Sequence, residues 1–568
     1  MKILRKLGLA TLISALALTA GTFPSAVAAD TPDEQFVVPL SPSGDRYTAL
    51  YVQDNGALRN PVVKLEAKDS LSHTAIDEIS SLVTCKQIGE NGCDLNKYLQ
   101  FDTVLSRCDN LNNHDCVNSV LASNDSGKIF QVNYLDKYPV SPPYIFKGDP
   151  KINLPNGGTS FLVDIPELPH GGGTNYLVTV AMNGSKDFNE TRFKITNFQA
   201  GIFAVSKISV NCTLPGPEND WKAHGLKVYG TAHTTGGCFT PGVRTQPPCV
   251  QMDTNSCLIS WPLPTEINFG LTIKLTTNVT GWLHGRLTDV EAKIETAGDG
   301  DQLITVTGKP TKVPGIFAYF KKSAFPAELA KLYAEDPNGA DEYGMGWDNG
   351  SNQPLVDGNP YSILKGIYNY DEGSFKEILA WINVIGDKAT FSPTSWSLRT
   401  IQGGREYSNC LKDSTKLAGI VTTNATMYIG APPTFNTSSQ TLEYKVAAPH
   451  LTSNGDVFRG TYNLAIRSEV ARCIYKFTNA PVSGSISVIS SDGSTTVATT
   501  ALGEKNGWIY LSANGFTFSS PTIKIKLTQA SSKKLTSTSI SCQKGSTLKT
   551  VKGINPKCPK GFVLKRNN

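Results

Sequence analysis

The amino-acid sequence predicts a mostly β, multi-domain protein: antiparallel sandwiches or barrel-like sheets, with a small helical insert and a C-terminal disulfide hairpin. Three observations predict this class. Short segments alternate between apolar and polar residues, as Val290, Ala292 and Ile294 do, with turn residues between them. Helical spacing is clear in only a few segments, and 568 residues are too many for one ordinary core. Twelve cysteines fall into short-spaced groups, which suits loops closed by disulfides.

Composition divides the chain into six parts. A Pro/Gly-rich run at residues 138–158 separates a mixed N-terminal part from a β-rich part. The predicted parts are a signal peptide (1–29), an N-terminal mixed domain with disulfide loops (30–150), a β domain with a four-cysteine excursion (151–320), a helical insert with a long loop (321–400), a β-sandwich with an Ig-like end (401–530) and a basic cysteine-paired module (531–568).

The first 29 residues have the pattern of an export signal. Lys2, Arg5 and Lys6 precede an apolar stretch at residues 7–21, and small residues at 26–29 offer a cleavage site. No later apolar run approaches the length of a membrane-spanning helix, so none is predicted. We therefore expect a secreted, extracellular protein.

Two helices are predicted in the insert. Residues 326–335 begin with a proline, which suits the first helical turn. Residues 374–385 have the clearest signal, because Ser374 and Glu377 form a capping box and Gly386 can end the helix. Strands are predicted on both sides of the insert, and residues 474–477 are predicted as one of them.

The cysteines fit an oxidising compartment. They are Cys85, Cys93, Cys108, Cys116, Cys212, Cys238, Cys249, Cys257, Cys410, Cys473, Cys542 and Cys558. We expect local pairs, with Cys410–Cys473 as the one bridge between distant strands, and connectivity within the 212–257 group stays open. Zinc is disfavoured because no C-x2-C spacing occurs.

The C-terminal end is strongly basic. From Lys505 to Asn568 there are twelve basic and no acidic residues, in a chain whose net charge is +5. Three Lys-Gly steps and the last cysteine pair favour a folded hairpin that displays basic side chains. The candidate binding residues are Lys544, Lys549, Lys552, Lys557, Lys560, Lys565 and Arg566.

This basic module predicts attraction to an anionic cell-wall polymer or another surface polyanion. Nucleic acid is disfavoured as a partner, because Phe562 is the one aromatic residue there that could stack on bases. In the alternative interpretation, lysines on exposed strand edges only prevent aggregation.

Enzyme signatures are weak, and the sequence favours a non-catalytic protein. His170 and the three glycines after it resemble the oxyanion loop of lipase-type hydrolases, but the chain contains no G-x-S-x-G nucleophile motif. A hairpin loop explains these glycines. No cofactor is predicted, apart from a calcium alternative at Asp336, Asp341 and Asp348, where ordinary turn chemistry is the competing explanation.

The same acidic loop suggests a second function. Residues 336–360 form a long Gly/Asp/Asn-rich segment, and loops of this length in compact domains are often functional. Tyr343 and Trp347 in this loop could stack on sugar rings. The alternative function is therefore a secreted carbohydrate-binding or carbohydrate-active protein that uses residues 336–361.

Several segments resemble uncharacterised secreted proteins of actinobacteria. They are residues 282–294, 305–319, 375–401 and 468–488, together with a C-terminal end in which Cys542-Gln-Lys-Gly precedes Pro-Lys-Cys558-Pro-Lys-Gly. The resemblance covers roughly residues 270–568. It implies export and retention at the cell surface, and it brings no activity and no catalytic residue with it.

The leading hypothesis is a secreted or cell-surface, non-catalytic protein that binds or coats. Its cationic C-terminal module would hold it on anionic wall polymers, so that the protein is associated with the cell wall. A self-assembling surface array is a third possibility.

Overall fold

The structure of the protein is a computed structural model. It describes residues 47–52, 61–68, 83–109, 113–142, 144–209, 249–253, 256–277, 279–321, 324, 326–334, 361–366, 372–401, 410, 417–478, 481–489, 495–497, 499–518, 522–529, 538–553 and 555–565. The predicted signal peptide, the loop at 336–360 and Arg566 lie outside these ranges.

The described residues are mostly β, as predicted. In the first part the strands are β1 Tyr47–Val52, β2 Lys64–Lys68, β3 Val83–Thr84, β4 Tyr98–Val104, β5 Cys116–Ser123, β6 Asn133–Tyr138, β7 Ser160–Asp164, β8 Asn175–Lys186, β9 Lys194–Ser209, β10 Cys249–Asp253, β11 Ser256–Trp261, β12 Asn268–Leu275, β13 Gly281–Thr296, β14 Gln302–Lys312 and β15 Ile316–Lys321. A 3-10 turn spans Pro150–Ile152.

The remaining strands are β16 Tyr361–Gly366, β17 Thr394–Ile401, β18 Leu417–Thr423, β19 Met427–Tyr428, β20 Thr434–Asn436, β21 Thr441–Ala447, β22 Arg459–Arg467, β23 Val482–Ile489, β24 Thr495–Val497, β25 Thr499–Lys505, β26 Trp508–Thr517, β27 Thr522–Gln529, β28 Thr538–Lys544, β29 Thr547–Gly553 and β30 Val563–Leu564. The helices are α1 Ala327–Ala334, α2 Glu372–Val384 and α3 Ser468–Tyr475. No helix among these residues is long and apolar enough to cross a membrane.

One long sheet organises the described part of the chain. Its strands are hydrogen-bonded in the order β2-β4-β8-β9-β17-β13-β18-β22-β26-β25. We call this the shared sheet, because each of two sandwiches uses part of it. Strand β13 enables this sharing: residues 281–286 pair inside the shared sheet, while residues 287–296 pair with β14 in a second sheet.

The first sandwich packs that second sheet, β13-β14-β12-β5, on the β4, β8, β9 and β17 end of the shared sheet. Alternate residues of each strand point into one apolar core, which includes Phe269 and Ile304 from one side and Val178 and Ile202 from the other. All four side chains are buried. This burial explains the period-two alternation in the sequence.

The second sandwich packs β18, β22 and β26 of the shared sheet against a separate sheet ordered β19-β21-β27-β23-β24. Leu464 and Leu511 on one side meet Tyr444 and Ile525 on the other. The predicted sandwich near the C-terminus is therefore present, and β18 and β21 also belong to it. Strands β15, β1 and β16 form a separate three-stranded sheet.

The two predicted helices of the insert are confirmed, but α2 begins at Glu372, so Ser374 lies inside the helix and the predicted capping box is wrong. Helices α1 and α2 pack together with Ile316 and Met427, and Trp381 of α2 is fully buried there. Gly386 follows α2 with φ of 72°, a conformation that glycine adopts without strain.

The predicted strand at residues 474–477 is wrong. Ile474 and Tyr475 belong to α3, where Val470 and Ala471 lie on the same buried side. Four apolar residues at positions i, i+1, i+4 and i+5 bury one face of a short helix, which a strand could not do with the same spacing.

Strand pairing joins segments that the sequence analysis assigned to separate domains. Residues 268–274 of β12 pair with 116–123 of β5, and 281–285 of β13 pair with 417–422 of β18. These ladders bring the 30–150, 151–320 and 401–530 segments into common sheets. The exact domain boundaries stay predictions.

Four predicted disulfides are confirmed. They are Cys85–Cys93, Cys108–Cys116, Cys410–Cys473 and Cys542–Cys558. Cys473 lies in α3 and Cys410 in a turn, so the long-range bridge is present but the prediction that it joins two strands is wrong. Cys257 is also disulfide-bonded, while Cys212 and Cys238 lie outside the described residues.

Candidate functional site

The C-terminal module, residues 538–565, is a small folded sheet. Strands β28 and β29 form a hairpin whose turn contains Gly545 at φ of 59°. Glycine is favoured in such tight turns because it tolerates positive φ. Strand β30 pairs on the other side of β28, through Cys542 with Leu564 and Gln543 with Val563. The predicted hairpin is confirmed and gains a third strand.

The disulfide ties the loop of the module to its central strand. Cys542 is fully buried, and its Cα atom lies 5.6 Å from that of Cys558 across a sequence separation of 16. Gly561, at φ of 87°, allows the chain to turn into β30. A bridge over a loop of this length stabilises by about 3 kcal/mol in the chain-entropy model, which matters for a unit with so few buried residues.

The lysines of the module are all exposed. They are Lys544, Lys549, Lys552, Lys557, Lys560 and Lys565, and no acidic residue occurs between residues 538 and 565. Because paired strand residues share a face, Lys549 lies on the face of Cys542, while Lys552 lies opposite Ser539 on the other face. Positive charge therefore surrounds the module.

Apolar side chains are also exposed on this module. Leu548 and Val563 flank Gln543 on one face and are 55% and 71% exposed, and Leu564 on the other face is 55% exposed. Lysines next to exposed aliphatic residues can contact a ligand through both charge and its apolar parts.

The carbohydrate and calcium predictions fall outside the described residues. Tyr343 and Trp347, and the oxygen ligands proposed at Asp336, Asp341 and Asp348, all lie in 335–360. Sugar binding and calcium binding by this loop stay predictions.

The glycine-rich segment after His170 has a structural explanation. His170 and Gly173 exchange backbone hydrogen bonds of 2.8 and 3.0 Å in the turn between β7 and β8. A Cβ atom on Gly172 would lie 2.2 Å from the indole nitrogen of Trp261, so only glycine fits. The segment is a hairpin loop, as predicted.

A buried arginine holds the chain where it crosses between sheets. Arg286 donates hydrogen bonds to the carbonyl oxygens of Thr423 and Ala425, at 2.8 and 2.6 Å, and to that of Thr426 at 3.3 Å. These residues connect β18 of the shared sheet to β19 of the other sheet in the second sandwich. The guanidinium also lies 4.7 Å from the centre of the Tyr428 ring. Arg286 therefore stabilises the junction of the second sandwich.

His284 lies beside this arginine and is fully buried. Its ring stacks on Tyr428, with centroids 3.4 Å apart and planes at 6°. Neither ring nitrogen has a hydrogen-bond partner among the described residues. Burial, together with the charges of Arg286 and Arg399, holds the pKa of His284 well below its usual value, so the ring is neutral.

An acidic cluster lies at one end of the first sandwich, and a lysine supplies its counter-charge. Lys274 lies between Asp299 and Asp301, and the Nδ1 atom of His114 lies 2.7 Å from Asp301. Burial raises the pKa of the nearby Asp115, whose carboxylate accepts hydrogen bonds from Thr276. The Lys274 ammonium therefore compensates part of the negative charge of Asp299 and Asp301.

A polar pocket lies on the outer face of the first sandwich. Lys64, Asp102, Asn183 and Asn197 are successive partners across β2, β4, β8 and β9, so their side chains form one row on one face. Gln199 lies two residues after Asn197, on the same face of β9. Together with the row, it lines a cavity of about 280 Å³.

Sequence reasoning did not find this row. Its members come from four strands, neighbouring members lie up to 81 residues apart in sequence (Asp102 and Asn183), and only the strand register aligns them. Each one looks like an ordinary outward-facing polar residue of an alternating strand. Short-range motifs carry no signal for such a site.

No protein-family model matches the chain, and no curated protein sequence matches it.

Proposed function

We propose that this is an extracellular, non-catalytic protein whose C-terminal module holds it on an anionic polymer, such as a phosphate-bearing or carboxylate-bearing cell-wall polymer. The observation that carries the proposal is the exposure of all six lysines on a disulfide-closed sheet without one acidic residue. A polyanion is the partner that such a surface attracts most strongly.

The positions of the lysines favour a flexible polymer over a compact ligand. Because they lie on both faces and in the loop, a single small anion could reach only a few of them. A polymer can wrap around the module and contact many at once. The exposed Leu548 and Val563 can pack on the backbone of the polymer between its charges.

The disulfides agree with an extracellular location. Four closed bridges are stable in an oxidising compartment and rare in the cytosol. Export would use the predicted signal at residues 1–29.

Removing the module tests the proposal. Truncation should follow Gln529, because its side chain bonds Thr478 and β27 is then complete in the second sandwich. Isolated cell envelopes would be incubated with the full chain or the truncated chain and washed from about 0.05 to about 0.5 M salt. We expect the full chain to be released progressively by salt and the truncated chain to be lost in the first wash. Equal retention of both chains would contradict the proposal.

A further inference from the structure

We propose that the polar pocket of β2, β4, β8 and β9 binds one neutral, hydroxyl-rich residue of a carbohydrate. This site is separate from the C-terminal module and from the loop at 336–361, and it does not depend on the function proposed above.

The pocket faces away from the core of the first sandwich. Leu65, Phe101 and Met182 point into that core, whereas the pocket residues Lys64, Asp102 and Asn183 beside them point outward and are partly exposed. Pro61 and Val62, which precede β2, form one wall of the cavity. The result is a concave space on a rigid sheet, which is where small ligands bind well.

The face that carries the pocket continues along the shared sheet. Gln199 pairs with Arg399 of β17, and Arg399 pairs with His284 of β13, so these side chains share one face of the shared sheet. The same face forms the core of the second sandwich further along. The pocket therefore lies on a part of this face that the second sandwich's other sheet, β19-β21-β27-β23-β24, does not cover.

The charges favour a neutral ligand. Lys64 lies 3.1 Å from the carboxylate of Glu66 and 3.8 Å from that of Asp102, so its charge is already compensated. A free phosphate or carboxylate would meet the two acids without gaining an unpaired cation. An isolated cationic ligand would in turn meet Lys64.

The remaining groups suit hydroxyls. Asn183 and Asn197 face each other across the ladder, and amides both donate and accept hydrogen bonds, as sugar hydroxyls do. Asn197 accepts a hydrogen bond from the Thr400 hydroxyl, and Asn183 accepts one from Thr196 at 2.9 Å, which holds both amides in place. The amide of Gln199 makes no hydrogen bond to any described residue, so it is available to a ligand.

The size agrees with a single sugar ring. About 280 Å³ is at the small end of ligand pockets, too small for an extended oligosaccharide to be enclosed. Ala181 lies on the floor next to Gln199 and leaves room for the ring.

Ligand-observed NMR with the full chain tests the site, with glucose, galactose, mannose and N-acetylglucosamine as probes. We expect saturation transfer to at least one of these sugars, with a Kd of about 1 mM. Glucose 6-phosphate should bind no more tightly than glucose. No transfer to any of the four sugars would overturn the proposal, and so would a clear preference for the phosphorylated sugar.

Two variants distinguish this pocket from other surfaces. Gln199→Ala removes the available amide, and Ala181→Leu fills the cavity, so each should weaken binding at least tenfold. Asn514→Ala, an exposed amide on β26 far along the shared sheet, should bind like the wild type. Thermal unfolding would confirm that the variants are folded. Undiminished binding by both folded pocket variants would place the sugar elsewhere and overturn the assignment.

Discussion

Individual buried polar residues determine how the second sandwich closes. Arg286 donates hydrogen bonds to three carbonyl groups at the point where the chain passes from β18 to β19, and His284 stacks on the tyrosine next to it. The arginine replaces water as the partner of those carbonyls. The histidine differs from the arginine, because neither of its ring nitrogens forms a hydrogen bond to a described residue. It therefore stabilises the sandwich through packing alone.

The neutral state of His284 makes stability depend on pH. The pKa of His284 is held well below its usual 6.5 in the folded protein, so the unfolded chain binds the proton more readily. Well above pH 6.5 the His284 ring is neutral in both the folded and the unfolded chain, so it adds no pH dependence to stability. As the pH falls below 6.5, the free energy of unfolding decreases, because only the unfolded chain takes up the proton. Relative to His284→Phe, which keeps the stacked ring, we expect the wild type to lose up to about 1.4 kcal/mol per pH unit there. Urea unfolding from about pH 8 to about pH 5 measures this difference. A difference that does not change with pH would contradict the buried neutral histidine.

Local signals in the sequence predicted some of the elements and missed others. The apolar spacing of residues 375–382 and the glycine after residue 385 predicted α2 and its end, since both signals are local. Its start was predicted wrongly, because α2 begins at Glu372 and Ser374 lies inside the helix. Helix α3 has only eight residues, and its apolar positions near 474 also fit a short strand. The polar pocket could not be predicted, because Lys64, Asp102 and Asn183 become neighbours only through long-range strand register.

The disulfide of the C-terminal module gives a prediction for that element alone. Replacing Cys542 and Cys558 by alanine removes about 3 kcal/mol from a three-stranded sheet that has almost no other buried residue. We expect residues 538–565 to become sensitive to limited proteolysis. The melting transition of the sandwiches should stay unchanged, because their cores lie in residues 65–527.

The matched control for this experiment is the Cys108–Cys116 pair, which lies beside the first sandwich. Alanines at these two positions should leave the C-terminal module resistant. A module that stays resistant without its own disulfide would show that the three strands are stable without it.

At the scale of the whole molecule, a large β body carries a small cationic module at its end. The shared sheet joins the two sandwiches through one bent strand, β13, whose two halves pair in different sheets. Sequence patterns predicted the β class because alternation is local, but they could not predict that hydrogen-bonded pairing would join residues 116–123 to 268–274. In the two proposals, the β body binds a sugar in its polar pocket, and the C-terminal module binds a polyanion.

The central claim concerns the charge of the module, so the decisive variant changes charge and keeps the fold. Lys549→Gln, Lys552→Gln and Lys565→Gln together remove three exposed positive charges and leave Cys542 and the strand pairing intact. Exposed charge contacts contribute about 0.2–1 kcal/mol each. We expect the Kd for long-chain polyphosphate at about 0.1 M salt to rise roughly tenfold.

The comparison variant removes the same charge from the body through Lys137→Gln, Lys147→Gln and Lys388→Gln, three exposed lysines of the sandwich region. Polyphosphate affinity, measured for both triple variants and the wild type across a salt series, tests the attachment role most directly. A module that binds the polymer predicts a large loss for its own triple variant and little change for the body variant. Equal affinities for the two variants would contradict the role of the module.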